Sequence, residues 1–175
     1  MRPMSDYKHA KSYRDLEVYQ RAFEISWAVF KASRSFPKEE KYSLTDQVRR
    51  ASRSIGAQIA EAWGKRRYEK HFISKLTDAD SEQLETQHWI NVAVSCGYLD
   101  EDLSEDLIGE LERIGRMLNS MMRKANLFCG SDGSVAREVA SHYGMRPYRL
   151  PITDHRLPRP CLSPGTYRLP ITDNL

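Results

Sequence analysis

EKYSLTDQVRRASRSIGAQIAEAWGKRRYEK, from Glu40 to Lys70, is the stretch from which the rest of the chain is read. Leu44, Val48, Ile55, Ile59 and Ala62 recur at the helical period and form one apolar meridian. Arg49, Arg50 and Arg53 step around the cylinder away from that stripe, with Gly56, Ala57 and Ala60 among them. One side of the helix therefore buries aliphatics. Another carries cations over small residues, where a second backbone can come close. Ser43 or Thr45 offers an N-cap. Gly64 marks the end, and Lys65, Arg66 and Arg67 follow where the C-terminal dipole favours cations. The plain reading is a bundle helix with a solvated basic face. The sharper one is a surface for a polyanion.

The net charge of +3 hides a bipolar chain. Residues 38–70 hold nine Lys or Arg against five acids, whereas residues 76–112 hold eleven acids and no Lys or Arg. A basic face of this kind serves nucleic acid, or the acidic half of the same chain within or between subunits. No apolar run reaches the length of a membrane span, and MRPMSDYKHAKS lacks the apolar centre of a secretory signal. Cys96, Cys129 and Cys161 are odd in number and far apart, which fits reduced thiols in a cytoplasm.

The other helices follow from the same periodicity. Residues 1–12 read as a flexible polar arm, and Ser12-Tyr13-Arg14-Asp15 has the form of a capping box. The first helix then runs to about Ser35. It shows two stripes: Leu16, Tyr19, Phe23, Trp27 and Phe30, and beside them Val18, Ala22, Ile25 and Val29. A helix apolar on two sides has more than one neighbour, and Val18, Ile25 and Val29 are read as contacts to another subunit. Pro37 separates it from the second helix. The third spans about Tyr68 to Cys96, with Phe72, Leu76, Ile90 and Val94 as its core meridian and Asp80, Gln83 and Gln87 on the same line. Buried polar groups need partners. Asp80, Glu82, Gln83, Glu85 and Gln87 are therefore the candidate polar layer that fixes register, with Arg50 or Arg53 as partners for the acids and a ligand site as the lesser alternative. Gly97 supplies a left-handed C-terminal position. Leu103, Leu107, Leu111, Ile114, Leu118, Met121, Ala125 and Phe128 define the fourth helix, with acids from Asp100 to Asp106 at its start and Met117 and Met122 flanking the stripe.

Residues 129–175 differ in character. Six of the eight prolines fall there, and the unit YRLPITD occurs at residues 148–154 and again at 167–173. The tail lacks apolar periodicity and reads as disordered. The expected architecture is all-α: an antiparallel up-down-up-down four-helix bundle over residues 13–128, with a disordered C-terminal tail.

The order of motifs resembles a known family. Tyr42-Ser43-Leu44-Thr45-Asp46-Gln47-Val48-Arg49-Arg50-Ala51, Ile59-Ala60-Glu61, Glu82-Gln83-Leu84-Glu85-Thr86-Gln87 and Gly97-Tyr98-Leu99 look like the small bacterial four-helix-bundle proteins encoded in 23S rRNA intervening sequences. The likeness spans roughly residues 13–128. Gly56, Gln58 and Ala62 stand where that family often has Pro, Asn and Gly, and Asp80 stands before Ser81 where Gly is usual. More distantly, the pattern resembles the accessory protein of diversity-generating retroelements, a pentameric bundle that binds nucleic acid and a reverse transcriptase. The resemblance implies a homo-oligomer, a pentamer, with RNA or DNA and a reverse transcriptase as partners. Arg49, Arg50, Arg53, Lys65, Arg66 and Arg67 are then the candidate nucleic-acid contacts. Arg49 is the expected binding residue, and at least one of Arg50 and Arg53 a structural one.

Catalytic chemistry finds little support. Glu85-Thr86-Gln87-His88 is one Glu-x-x-His unit, but a di-iron bundle needs two on different helices, and His88 projects away from the core line. Gly64-Lys65 lacks the glycine and strand of a phosphate loop. No Ser-His-Asp or Cys-His set can be argued from the sequence. The expectation is a protein without catalytic residues, metal or cofactor.

Overall fold

The computed structural model describes residues 10–129. Nearly all of the expected arm and tail, including both YRLPITD units, lies outside these residues. Four long helices carry the fold: α1 (Glu17–Ala32), α2 (Leu44–Lys65), α3 (Glu69–Ser95) and α4 (Glu101–Arg123), followed by a short α5 (Ala125–Phe128). Three 3-10 turns, Tyr13–Asp15, Ser33–Ser35 and Lys38–Tyr42, flank α1 and lead into α2. No strand occurs among the described residues.

The ends follow from local chemistry, with two departures from expectation. The Ser12–Asp15 capping box forms, but it closes the first 3-10 turn; Leu16 is extended, and α1 begins only after it. At α2, neither Ser43 nor Thr45 caps with its side chain. The Glu40 carboxylate does so instead, accepting from the Leu44 amide at 3.3 Å and from the Ser43 hydroxyl. An acid at this end also complements the helix dipole. Helix α2 continues through Gly64 to Lys65. Gly97 has φ +70°, and its amide and that of Tyr98 bond back to Val94 (2.8 Å) and Ala93 (2.9 Å), which satisfies the last carbonyls of α3. Asp100 accepts from the amides of Asp102 and Leu103 and starts α4.

Each helix packs on the next, and α1 closes the cycle against α4. Cross-helix contacts show that neighbours run antiparallel. Phe30 and Ser33 meet the arginines early in α2, whereas Tyr19 lies beside Gly56. Lys75 of α3 reaches Gln58 and Glu61 late in α2, both at 3.0 Å. Thr77 meets Met122, and Gln83 meets Gly115 further back along α4. Arg21 bonds Glu110 at 2.9 Å, and Glu17 reaches Arg113 at 3.8 Å.

Ile55, Ile59, Phe72, Leu76, Leu111, Ile114 and Leu118 are sealed in the core. Each such side chain contributes roughly 1.5–3 kcal/mol by leaving water. On α3, Ala93 rather than Val94 completes the buried line, and Leu103 of α4 is exposed. The chief correction concerns α1. Val18, Ala22, Ile25 and Val29 face this chain's own core, so they are not available to another subunit. Phe23 and Trp27 of the aromatic stripe are instead 64% and 56% exposed. Small and β-branched side chains let α1 approach its neighbours at ordinary interhelical distance, and the wider rings are left at the surface.

Candidate nucleic-acid interface

The candidate cations of α2 and of the turn after it divide into two groups, about 18 Å apart along the helix from Arg53 to Lys65 at 1.5 Å per residue. Arg49 is the tethered member of the first. Its Nε donates to Ser33 Oγ at 2.7 Å, and its guanidinium lies 5.0 Å from the centre of the Phe30 ring. Arg53 reaches the same ring at 5.9 Å and is exposed. Arg34, just beyond α1, brings a third cation. Burial first, then repulsion from Arg53 and Arg34, pulls the Arg49 pKa below the ordinary arginine value. The group still carries its charge, as arginine does in proteins. The salt bridges among the described residues join none of these three to a carboxylate. Guanidinium groups gathered over an aromatic ring without an acid form a local field that favours anions.

Arg50 points elsewhere. Its side chain is 73% exposed and pairs with Asp46 one turn back, at 3.6 Å. The expected bond from Arg50 or Arg53 to Asp80, Glu82 or Glu85 does not form. Only the field of Arg50 reaches Glu82, where it slightly opposes an upward pKa shift caused first by burial and then by Glu85 and Asp78.

At the other end of α2, Lys65 lies 4.0 Å from Glu61. Arg66 is buried, with its guanidinium 4.0 Å from the Trp63 ring and Nη1 donating to the Trp63 carbonyl at 2.6 Å. It belongs to the α2–α3 turn rather than to a solvent-facing patch. Arg67 is exposed beside exposed Tyr68, 5.6 Å from its ring.

The polar layer forms from α3 residues alone. Gln83 Nε2 donates to Asp80 Oδ1 at 3.2 Å, and Gln87 Nε2 donates to Gln83 Oε1 at 2.6 Å. Gly115 of α4 gives this ladder room. Glu82 and Glu85 lie off it, and Glu85 accepts from the indole of Trp89 at 3.0 Å. Every buried side-chain N or O among the described residues has a partner. No group of three or more His, Cys, Asp or Glu among them is close enough to hold a metal.

Sequence reasoning missed Ser33, Arg34, Phe30 and Trp27 as parts of the basic site. The available signal was the second stripe of α1. Four rings, Tyr19, Phe23, Trp27 and Phe30, on a helix that already had an aliphatic face were more than one core needed.

The molecule is thus an all-α four-helix bundle with a cationic, aromatic surface where α1 and α2 meet. The chain belongs to the 23S rRNA-intervening sequence protein family, whose model matches residues 14–120. A solved structure similar to it is a protein of unknown function from the S23 ribosomal protein family of Bacteroides thetaiotaomicron. That structure is 25% identical, with a TM-score of 0.55 over 60% of this chain and 97% of the other. No curated protein matches the chain. No helix among the described residues is long and apolar enough to cross a membrane.

Proposed function

We propose that this is a non-enzymatic cytoplasmic protein that binds RNA or DNA through the basic surface of α2. The observation that carries this reading is the cluster of Arg49 and Arg53 over Phe30, with Arg34 close enough to repel Arg49, and no carboxylate paired with any of the three among the described residues. A fold has little reason to keep like charges together unless something outside it neutralises them. The protein works as a homo-oligomer, the pentamer that the resemblance implies, and a ring repeats each arginine around its axis. A reverse transcriptase is the protein partner implied by the more distant resemblance. Binding to labelled RNA and DNA at two salt concentrations, with the mass measured by light scattering, tests both parts. Salt-sensitive binding by a species heavier than a monomer supports them. Salt-independent or absent binding removes the first, and a monomer at micromolar concentration removes the second.

A second reading is a structural or protein-interaction module. The exposed rings of Phe23 and Trp27 favour it, since large exposed apolar side chains beside one another often mark contact sites. It predicts association that does not depend on nucleic acid.

A further inference from the structure

The surface between α1 and α2 is a groove of about 480 Å³, within the range of sites that hold small ring systems. Tyr19, Phe23, Trp27 and Phe30 line one wall; Arg53 and the small residues around Gly56 line the other. No Asp or Glu is among the described residues lining it. Trp27 and Phe30 are stacked, with centres 5.3 Å apart and planes 22° apart, and the Arg49 and Arg53 guanidinium groups lie over Phe30. More than half of the Trp27 surface remains in solvent at one end of this stack.

We infer that this groove is a stacking site for the unpaired bases of single-stranded nucleic acid, with Trp27 as the ring on which a base continues the stack and Arg49 and Arg53 on the flanking phosphates. The inference rests on the nucleic-acid reading above and names its substrate class. A ligand that is both flat and anionic explains why rings and the Arg53 guanidinium share a groove with no Asp or Glu among its described lining residues, with Arg49 over the outer ring, Phe30. Single strands present free base faces, and stacking on aromatic side chains tolerates any sequence. Duplexes keep those faces inside, where Trp27 cannot reach them. In a two-fold dimer built on this face, Arg53 would meet a groove that carries the other copy's Arg53 and has no Asp or Glu among its described lining residues.

The test compares three labelled probes with the full chain: an oligoadenylate single strand, an abasic phosphodiester strand of equal length, and a duplex of that length. Fluorescence anisotropy gives affinities for the parent, Trp27→Ala and Trp27→Tyr, after melting curves confirm that each is folded. The parent binds the base-bearing strand best. Trp27→Ala weakens that binding roughly five- to a hundredfold, leaves the abasic strand and the salt slope unchanged, and Trp27→Tyr restores most of the loss. Equal affinity for base-bearing and abasic strands, or preference for the duplex, overturns the inference while phosphate binding stands. Unchanged single-strand affinity in Trp27→Ala with a reduced molecular mass also overturns it and assigns the groove to a second copy. Failure of the parent to bind any probe overturns the nucleic-acid reading as well.

Discussion

Gly115 of α4 lies so close to Gln83 of α3 that a Cβ at Gly115 would stand 3.0 Å from Gln83 Nε2, and 3.3 Å from Asp80 Oδ1. Gln83 is bonded to Asp80 on one side and Gln87 on the other, so it has little freedom to move aside. Replacing Gly with Ala in a helix ordinarily gains about 0.8–1 kcal/mol. Here overpacking of about 1–3 kcal/mol opposes that gain. Gly115→Ala is therefore expected to destabilise by about 1 kcal/mol in urea unfolding. Gly109→Ala is the control: it is on the same helix, exposed, with nothing within 4 Å of the added methyl. It should stabilise by about 0.5–1 kcal/mol. Stabilisation by both changes would mean that the ladder yields.

The bond from Arg49 to Ser33 makes Arg49 structural as well as cationic. Arg49→Ala should cost about 1–2 kcal/mol, since a charged hydrogen bond and a ring contact are lost while repulsion from Arg34 and Arg53 is relieved. Arg49→Lys keeps the charge without the guanidinium fork, so it should lose stability but retain most salt-sensitive binding. Thermal melts and anisotropy on the same samples separate the two effects.

Arg50→Ala should leave stability within about 0.5 kcal/mol, because it removes only an exposed pair with Asp46. The sequence reading implied a far larger loss, roughly 3–5 kcal/mol, from stranding a buried carboxylate. A loss of that size on melting would restore the buried pair.

Much of the fold was legible because periodicity reports burial directly. The α2 line from Leu44 to Ala62 and the α4 line from Leu107 to Leu118 are buried where the spacing placed them. Gly97 and Asp100 end and start helices by chemistry that is local to their own turns. What was hidden depended on distance between helices. On α1 both stripes had helical spacing, and only packing against α2 and α4 chose the aliphatic one. The polar ladder was legible as Asp80, Gln83 and Gln87, yet its neighbour Gly115 was not. The tether of Arg49 and the exposure of Arg50 were hidden for the same reason: their order along α2 does not reveal that Ser33 lies beside Arg49.

Glu82 offers a pH test. Its carboxyl is held above the ordinary value of 4.5, first by burial and then by the charges of Glu85 and Asp78. A raised folded-state pKa means that the folded chain holds the proton more tightly than the unfolded chain does. This contribution is full below the unfolded pKa and is lost as pH rises through the folded one. Glu82→Gln should therefore raise the melting temperature at pH 7, and its advantage should vanish below about pH 4.5. An advantage that persists in acid would point to a cause other than ionisation.

The central claim is that Arg49 and Arg53 over Phe30, with Arg34 near Arg49, neutralise phosphates. The most direct measurement is the dependence of log affinity on log salt for single-stranded RNA, with the parent and with Arg53→Ala. Each phosphate neutralised on a single strand contributes about −0.7 to the slope, so Arg34, Arg49 and Arg53 together predict about −2 from one subunit's cluster. Arg53→Ala should flatten the slope by about 0.7 per engaged subunit and weaken binding alike on every sequence. A parent protein with no salt-sensitive binding to any RNA or DNA, or an Arg53→Ala slope equal to that of the parent, would contradict the account.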